Sequence, residues 1–592
     1  MAILEWAGKS KVIGHHRDVK YKTLERKYSF NENGQYTENI NSENMIIHGD
    51  NLEALKSLLP KYQGKIKCIY IDPPYNTGEE KWIYNDNVND PRINKWIGEV
   101  VKKEGEDLSR HDKWLCMMYP RLKLLEKLLS PDGAIFISID DNEQYHLRSI
   151  CNEIFGSSNF VATFIWEKRK NRENRKEIST RHDYILCYAK SKGTQERIIK
   201  LLPMTGEALE RYQNVDNDPR GLWKSDPATA QAGHATASQF YTLVAPNGKR
   251  HELPKGRCWL YTQDVMQEAI EDGRIWFGKD GNNTPRIKTY LTAKERGLTP
   301  ETIWFADDVS TNEEAKKCLK RIFSEEIPFE TPKPYELIER IIELVTDNDS
   351  IILDSFAGSG TTAHAVLNMN KKVGNRKFIL VEMMDYAESI TAERVKRVIS
   401  GYDATFTEEE VIYEKQLTIK NITSAAEFIG EAEKVIEENK DKYTKIGKVS
   451  LKNDYIRVVA KNEYKGHVDG IGGSFSYYEL GHELFSEDGL INSDITEEQL
   501  REYVYFSETK GAILAEDSQK DNKYYLGTNG NSAYYLYFEK DKTTTLNHEF
   551  LATIKKEAEA YIVYADKCII DSKSLRRNNI TFKKIPRDVI RF

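Results

Sequence analysis

The stretch Ile351-Ile352-Leu353-Asp354-Ser355-Phe356-Ala357-Gly358-Ser359-Gly360-Thr361-Thr362-Ala363-His364-Ala365 admits few folds. An apolar strand runs straight into a glycine-rich turn and then into a helix. The glycines permit the tight turn and let the backbone approach a ligand closely, so the unit reads as nucleotide-binding. The next strand, Phe378-Ile379-Leu380-Val381, ends in Glu382. An acidic residue about 20 positions beyond such glycines is where a ribose hydroxyl pair is held. Taken alone, Gly358-x-Gly360-x-x-Ala363 also fits a dinucleotide fingerprint, and a second feature has to decide.

That feature is Asp72-Pro73-Pro74-Tyr75, which follows the apolar run Lys67-Cys68-Ile69-Tyr70-Ile71. Pro73 and Pro74 fix φ and remove two backbone donors, leaving a rigid, acceptor-rich loop at the end of a buried strand. The Asp72 carboxylate and the Pro73 carbonyl could hold the two hydrogens of an amine conjugated to a purine or pyrimidine ring and localise its lone pair. Tyr75 would stack on the ring. A plain Pro-Pro turn behind a capping aspartate is the bland alternative.

The rest of the chain supports an α/β sheet. Met45 to His48 reads as a strand, Leu52 to Leu59 as a helix, and Trp114, Leu115, Met118, Leu122, Leu125 and Leu129 as the apolar stripe of another helix, broken at Pro131-Asp132-Gly133. Ala134 to Ile139 is a further buried strand, which establishes the alternation of strand and helix. Phe160 to Trp166 and Tyr184 to Tyr188 read as two more strands. They are joined by the most basic stretch of the chain, containing Lys168, Arg169, Lys170, Arg172, Arg175 and Lys176, for which a phosphate-facing role competes with that of a solvated loop. Beyond about residue 191 the alternation fades until the sheet resumes at Ile351. After residue 400 come a charged helix over Ala425 to Lys442 and a Tyr-rich hairpin around Asn529-Gly530.

Composition narrows the function classes. At 592 residues, two to four domains are expected. The net charge of −7 argues against a nonspecific nucleic-acid coat, so any DNA contact must be local. No run of about 18 apolar residues exists to span a bilayer, and no signal peptide is apparent, so a cytoplasmic location is expected. The seven scattered cysteines never form a CxxC pair, which indicates neither disulfides nor zinc.

With both motifs in hand, the chain resembles the β group of amino-methyltransferases acting on DNA, in which a DPPY-type motif precedes an FxGxG-type motif. It is most similar to the modification (Mod) subunit of type III restriction-modification systems. The phrases carrying the resemblance are His48-Gly49-Asp50-Asn51-Leu52-Glu53-Ala54-Leu55, Ile71-Asp72-Pro73-Pro74-Tyr75-Asn76-Thr77-Gly78, Thr331-Pro332-Lys333-Pro334 and Leu353 to Thr362, with a weaker echo in Gly473 to Leu480. The resemblance implies a circularly permuted, Rossmann-like methyltransferase sheet with the strands ending at Asp72 and Asp354 side by side. It divides the middle of the chain into a first catalytic part (44–160), an inserted target recognition region (161–330) and a cofactor-binding part (331–400); by composition, the polar, charged residues 1–43 read as an extended N-terminal arm and residues 401–592 as a small C-terminal α+β assembly domain. The resemblance also implies S-adenosylmethionine as methyl donor. Phe356, Gly358 and Gly360 would wrap its methionine part, with Asp354, Ala357, Ser359 and Thr361 completing that motif. Glu382 would take the ribose, Asp50 the adenine, and Lys333 and Pro334 would close over the methionine end. Asp72, Pro73, Pro74 and Tyr75 would be the catalytic residues, acting on the N6 amine of an adenine flipped out of double-stranded DNA.

No GxxxxGK[ST] loop and no nuclease constellation is visible, so the resemblance implies a separate restriction subunit, together with pairing of two modification subunits. Alternatives within the same chemistry are a stand-alone DNA amino-methyltransferase and a cytosine-N4 enzyme. Outside it stand a catalytically silent DNA-specificity module and a nucleotide-dependent oxidoreductase; the latter would explain the Gly358 loop and leave Asp72 to Tyr75 without a purpose.

Overall fold

The computed structural model describes residues 3–77, 108–173, 177–193, 197–292, 297–324, 328–452, 454–486, 488–509, 511, 513 and 521–586. The chain forms two compact units, one of residues 199–300 and one of residues 1–198 with 301–592.

The larger unit is built on a mixed sheet that has eleven strands among the described residues. Its main elements, in chain order, are β1 (Lys22–Asn31), β2 (Met45–His48), α1 (Asn51–Tyr62), β3 (Ile66–Ile71), α2 (Leu108–Leu128), β4 (Leu129–Ile139), α3 (Gln144–Cys151), β5 (Phe160–Glu167) and β6 (His182–Ala189). After the second unit come α4 (Tyr335–Val345), β7 (Ile351–Asp354), α5 (Thr361–Lys372), β8 (Lys377–Glu382) and β9 (Ser474–Glu483). The strand order is β5-β6-β4-β3-β7-β8-β2-β9-β1, with Ile303–Trp304 beside β5 and Gly34–Tyr36 beside β1. From β4 to β9 every neighbouring pair is parallel, and the pairs of β6 and β1 are antiparallel.

The parallel strands read as near-continuous apolar runs because both faces are covered; in β3 only Lys67 is not buried. Leu52, Leu55, Leu58 and Leu59 of α1 and Trp114, Leu115, Met118, Leu122 and Leu125 of α2 share one core with Ile69, Ile71, Ile135 and Ile137. Each such side chain contributes about 1.5–3 kcal/mol on full burial. α4 buries Leu337, Ile338, Ile341 and Ile342 and packs on α5.

Three expected boundaries are corrected. Residues 1–43 are not an extended arm: two short helices, Lys9–Val12 and His15–Asp18, lead into β1. Tyr28 of β1 is buried, stacks on Tyr477 of β9 with ring centroids 5.1 Å apart, and donates to Glu388 Oε2 at 2.7 Å. Lys22, Glu25, Arg26 and Lys27 mask this strand in the sequence because β1 buries only part of its surface. Nor does residue 400 begin a separate domain, since β9 inserts between β2 and β1, pairing Ser476 with Met45 and Phe475 with Phe30. The remaining C-terminal sequence forms a long antiparallel pair, Gly401–Gln416 with Tyr455–Asp469, and a four-stranded sheet that begins with the hairpin Tyr525–Asn529 and Ser532–Leu536. Finally, the inserted unit is narrower than residues 161–330. β5 and β6 bury Phe164, Trp166, Ile185, Leu186 and Tyr188 in the main sheet, and residues 301–330 belong to the larger unit. The second unit has a three-stranded sheet, Ile275–Trp276, Arg286–Tyr290 and Trp223–Pro227, and a small core around Trp259 and Met266.

If β1 is integral to the sheet, Tyr28→Ala should cost about 3–5 kcal/mol of unfolding free energy, measured by urea denaturation. A loosely attached arm would give a change within about 0.5 kcal/mol.

Candidate active site

Ligands of open α/β sheets sit beyond the carboxyl ends of parallel strands. β3 and β7 are adjacent and parallel, with Ile352 opposite Cys68 and Leu353 opposite Ile69. Asp72 and Asp354 therefore leave the sheet at the same edge. Between them opens a cleft lined by Tyr70, Asp72, Phe329, Thr331, Pro332, Lys333, Asp354, Phe356, Ala357, Gly358, Ser359, Thr361, Thr362, Glu382 and Tyr386.

Lys333 joins the two motifs. Its Nζ donates to Asp72 Oδ2 at 2.5 Å and lies 5.0 Å from the centre of the Tyr75 ring, while its carbonyl accepts from Thr361 Oγ1 at 3.3 Å. One carboxylate oxygen of Asp72 is thus committed. The other, Oδ1, is out of solvent and has no well-formed hydrogen bond among the described residues. The Trp114 indole N–H donates to the Pro74 carbonyl at 2.7 Å, which pins the loop to α2. Pro73 is buried, and among the described residues no hydrogen bond reaches its carbonyl. The Tyr75 hydroxyl is removed from water, and burial together with the neighbouring Asp72 charge pushes its pKa well above the ordinary phenol value.

The glycine loop is held from behind. Gly358 and Gly360 have φ of +52° and +76°, and a Cβ on Gly360 would stand 2.9 Å from the Thr391 carbonyl oxygen. Both Asp354 oxygens serve the loop, accepting the Phe356 N–H at 3.0 Å and the Thr362 hydroxyl at 2.5 Å. Glu382 accepts the Gly358 N–H at 2.7 Å and the Met384 N–H at 3.0 Å. Burial pushes both carboxyls up to about 7.

Not every expected residue reaches the cleft. Asp50 follows β2 and is not among the lining residues; its Oδ1 accepts the Leu52 and Glu53 N–H groups as the N-cap of α1. Pro334 is the N-cap residue of α4, Gly360 shapes the turn, and Pro73, Pro74 and Tyr75 follow Asp72 along its loop; none of these five lines the cleft. Of the basic stretch, Lys168 is tied to buried Asp183 at 2.6 Å, Arg169 to Glu173 at 3.2 Å, and Lys170 to Asp307; Arg172 is exposed. Arg175 and Lys176 lie outside the described residues.

Other contributors were missed from the sequence. Phe329, Thr331, Thr362 and Tyr386 line the cleft, and the Tyr386 position, four residues beyond Glu382, was the available hint. Arg394 is fully buried behind the loop and donates to Ser359 Oγ at 2.9 Å and Thr361 Oγ1 at 2.7 Å. Nothing in the sequence distinguishes it from the surface arginines of a charged helix.

Residues 66–393 match the N6/N4 methyltransferase family model, described as a DNA methylase. Over 393 residues the chain is 36% identical to the Mod subunit of the type III restriction-modification enzyme StyLTI of Salmonella typhimurium, covering 65% of this chain and 57% of that subunit. It is 31% identical over 426 residues to the EcoP15I Mod subunit of Escherichia coli, 64% of each. It is 32% identical over 362 residues to the type II methyltransferase M.KpnI of Klebsiella pneumoniae, 57% of this chain and 80% of that one. The chain spans less than two thirds of the length of either Mod subunit.

The raised Glu382 carboxyl gives a signed pH dependence. With its folded value near 7 and an ordinary value of 4.5, the folded chain keeps a proton that the unfolded chain releases, so stability falls as pH rises through that window. Relative to Glu382→Gln, wild-type unfolding free energy should drop by about 3 kcal/mol across it, read from urea denaturation at each end. A constant difference would mean that Glu382 ionises at its ordinary value.

Proposed function

This chain belongs to the DNA methylase family matched over residues 66–393, and from that premise we propose that it transfers a methyl group from S-adenosylmethionine to the exocyclic N6 amine of adenine in double-stranded DNA. The observation that carries the reading is the state of Asp72 in the cleft: one oxygen held by Lys333, the other without a well-formed hydrogen bond among the described residues, with the Pro73 carbonyl next in the chain.

The cleft fits the donor on its own chemistry. Among the described residues, Asp72, Asp354 and Glu382 face one lining cation, Lys333, which suits a ligand carrying a sulfonium and an ammonium. The left-handed glycines leave a surface that a side chain would fill. Phe356, Ala357, Gly358, Ser359 and Thr361 hold the methionine part, Glu382 the ribose, and Lys333 the junction with the Asp72 loop. When bound, S-adenosylmethionine supplies an electrophilic methyl on a positively charged sulfur.

The protein's part is positioning. The target amine of a duplex faces its pairing partner, so the base is flipped out at a cost of a few kcal/mol. Stacking on Tyr75 returns about 1–3 kcal/mol. Asp72 Oδ1 and the Pro73 carbonyl accept the two amine hydrogens and aim the nitrogen lone pair, and Asp72 Oδ1 receives the proton that the methylated nitrogen sheds. Arg169, Lys170 and Arg172 serve the DNA backbone, because exposed ion pairs such as Lys170–Asp307 are worth little and exchange readily for phosphate. Lys168, held by buried Asp183, stays structural.

The names of the Mod relatives support a modification subunit of a type III restriction-modification system; the cytoplasmic location, the homodimer and the separate restriction subunit are carried over from the family resemblance. No helix among the described residues is long and apolar enough to cross a membrane. The M.KpnI match supports a second reading, a stand-alone methyltransferase; co-purification of an ATP-dependent nuclease subunit would separate the two.

Asp72→Ala should reduce transfer of labelled methyl to mixed-sequence duplex DNA by more than about 100-fold while donor binding by calorimetry stays largely intact, its loss far smaller than the loss of transfer. Retained transfer would sink the role given to Asp72. Gly360→Ala, which drives a Cβ against the Thr391 carbonyl, should instead lose donor binding itself.

A further inference from the structure

Behind the Asp72–Tyr75 loop sits a polar cluster that the proposed reaction leaves unused. Asn76, next after Tyr75, is fully buried and has φ +59°, a left-handed conformation that asparagine tolerates better than most residues. Its Nδ2 donates to Glu143 Oε1. Glu143 is also fully buried, at the residue preceding α3. Its Oε1 accepts from His111 Nδ1 at 2.6 Å and its Oε2 from His146 Nδ1 at 2.9 Å, with the two imidazole centres 4.8 Å apart. The partners come from different elements, His111 from α2 and His146 from α3.

Two histidines and a carboxylate are also a metal-ligand set. The separations decide between the readings. Donor atoms about 2.0–2.2 Å from one tetrahedral zinc lie roughly 3.3 Å from each other, whereas 2.6 and 2.9 Å are hydrogen-bond lengths. The cluster is a hydrogen-bonded hub, in which three donors offset the cost of burying a carboxylate.

We propose, resting on the amine-methylation reading of the cleft, that Glu143 is a positioning residue that anchors Asn76 and so holds the Pro73 carbonyl and the Tyr75 ring in register with Asp72. Helix α2 then grips the loop twice, through Trp114 on the Pro74 carbonyl and through His111 on Glu143. Asn76 Oδ1 is buried without a partner among the described residues, so the side-chain anchor rests on the bond from Nδ2 to Glu143.

The test is a pair exchange, with kcat for labelled-methyl transfer, donor Kd and Tm measured on four proteins. Asn76→Asp sets two carboxylates against each other and should lower kcat by about 100-fold with donor Kd within about 2-fold. Adding Glu143→Gln restores one donor and one acceptor across the contact and should recover at least about 10-fold, a coupling that two independent structural lesions would not show. Glu143→Gln alone should lose no more than about 10-fold, because its amide oxygen still accepts from Asn76. Wild-type kcat in Asn76→Asp, or no recovery in the double variant, overturns the proposal. So does one tightly bound zinc per wild-type chain whose removal stops transfer. If the wild-type chain moves no methyl group to DNA, the methylation reading fails instead, and the anchor is read from Tm: a double variant melting above Asn76→Asp supports it, and one melting no higher overturns it. Should Asn76→Asp not fold, a folded double variant supports the anchor and an unfolded one overturns it.

Discussion

Everything at the site depends on one pairing, the parallel contact of β3 with β7 through Cys68 with Ile352 and Ile69 with Leu353. A buried parallel pair leaves little freedom of register, because a one-residue slip would turn each strand's side chains to the opposite face. That pairing brings the loops carrying Asp72 and Gly358 to one edge although they are far apart in sequence. The Lys333–Asp72 ion pair and the Thr361 bond to the Lys333 carbonyl then tie the two loops into one surface. Disturbing the sheet would separate two half-sites, neither of which has a use alone.

The electrostatics of this surface are those of a site waiting for a cation. Two of its carboxyls, Asp354 and Glu382, are buried enough to be pushed up to about 7 despite the hydrogen bonds they accept. Carboxyls held in this way are destabilising when ionised in the free protein, and a positively charged ligand relieves them. The tension is placed where the donor would lie. Around the loops, Trp114 and Thr391 donate to the Pro74 and Gly358 carbonyls, and Asn76 with Glu143 and Arg394 with Ser359 add side-chain bonds.

What could be read from the sequence follows from how local each signal is. The strand, glycine turn and helix from Ile351 onward and the rigid Asp72-Pro73-Pro74-Tyr75 loop are written in consecutive residues, and the structure places both at one edge of an α/β sheet. What stayed illegible was distant pairing: β1 hides behind surface lysines and glutamates, and although Gly473 to Leu480 resembles a strand of the family, nothing local shows that β9 inserts between β2 and β1. The basic stretch is legible only as charge. A run of Lys and Arg does not reveal that Asp183 and Asp307 are there to meet it. Lys333 and Pro334 were placed near the cofactor by resemblance, but the pairing of Lys333 with Asp72 needed coordinates, as did the helix-capping bonds of Asp50.

The most direct test of the account is identification of the modified base. Duplex DNA incubated with the protein and S-adenosylmethionine would be digested to nucleosides and resolved by mass spectrometry. The account predicts N6-methyladenine, confined to one short sequence context. N4-methylcytosine would contradict the base assignment, and unmodified DNA from a chain that binds the donor would contradict the assignment of DNA as substrate.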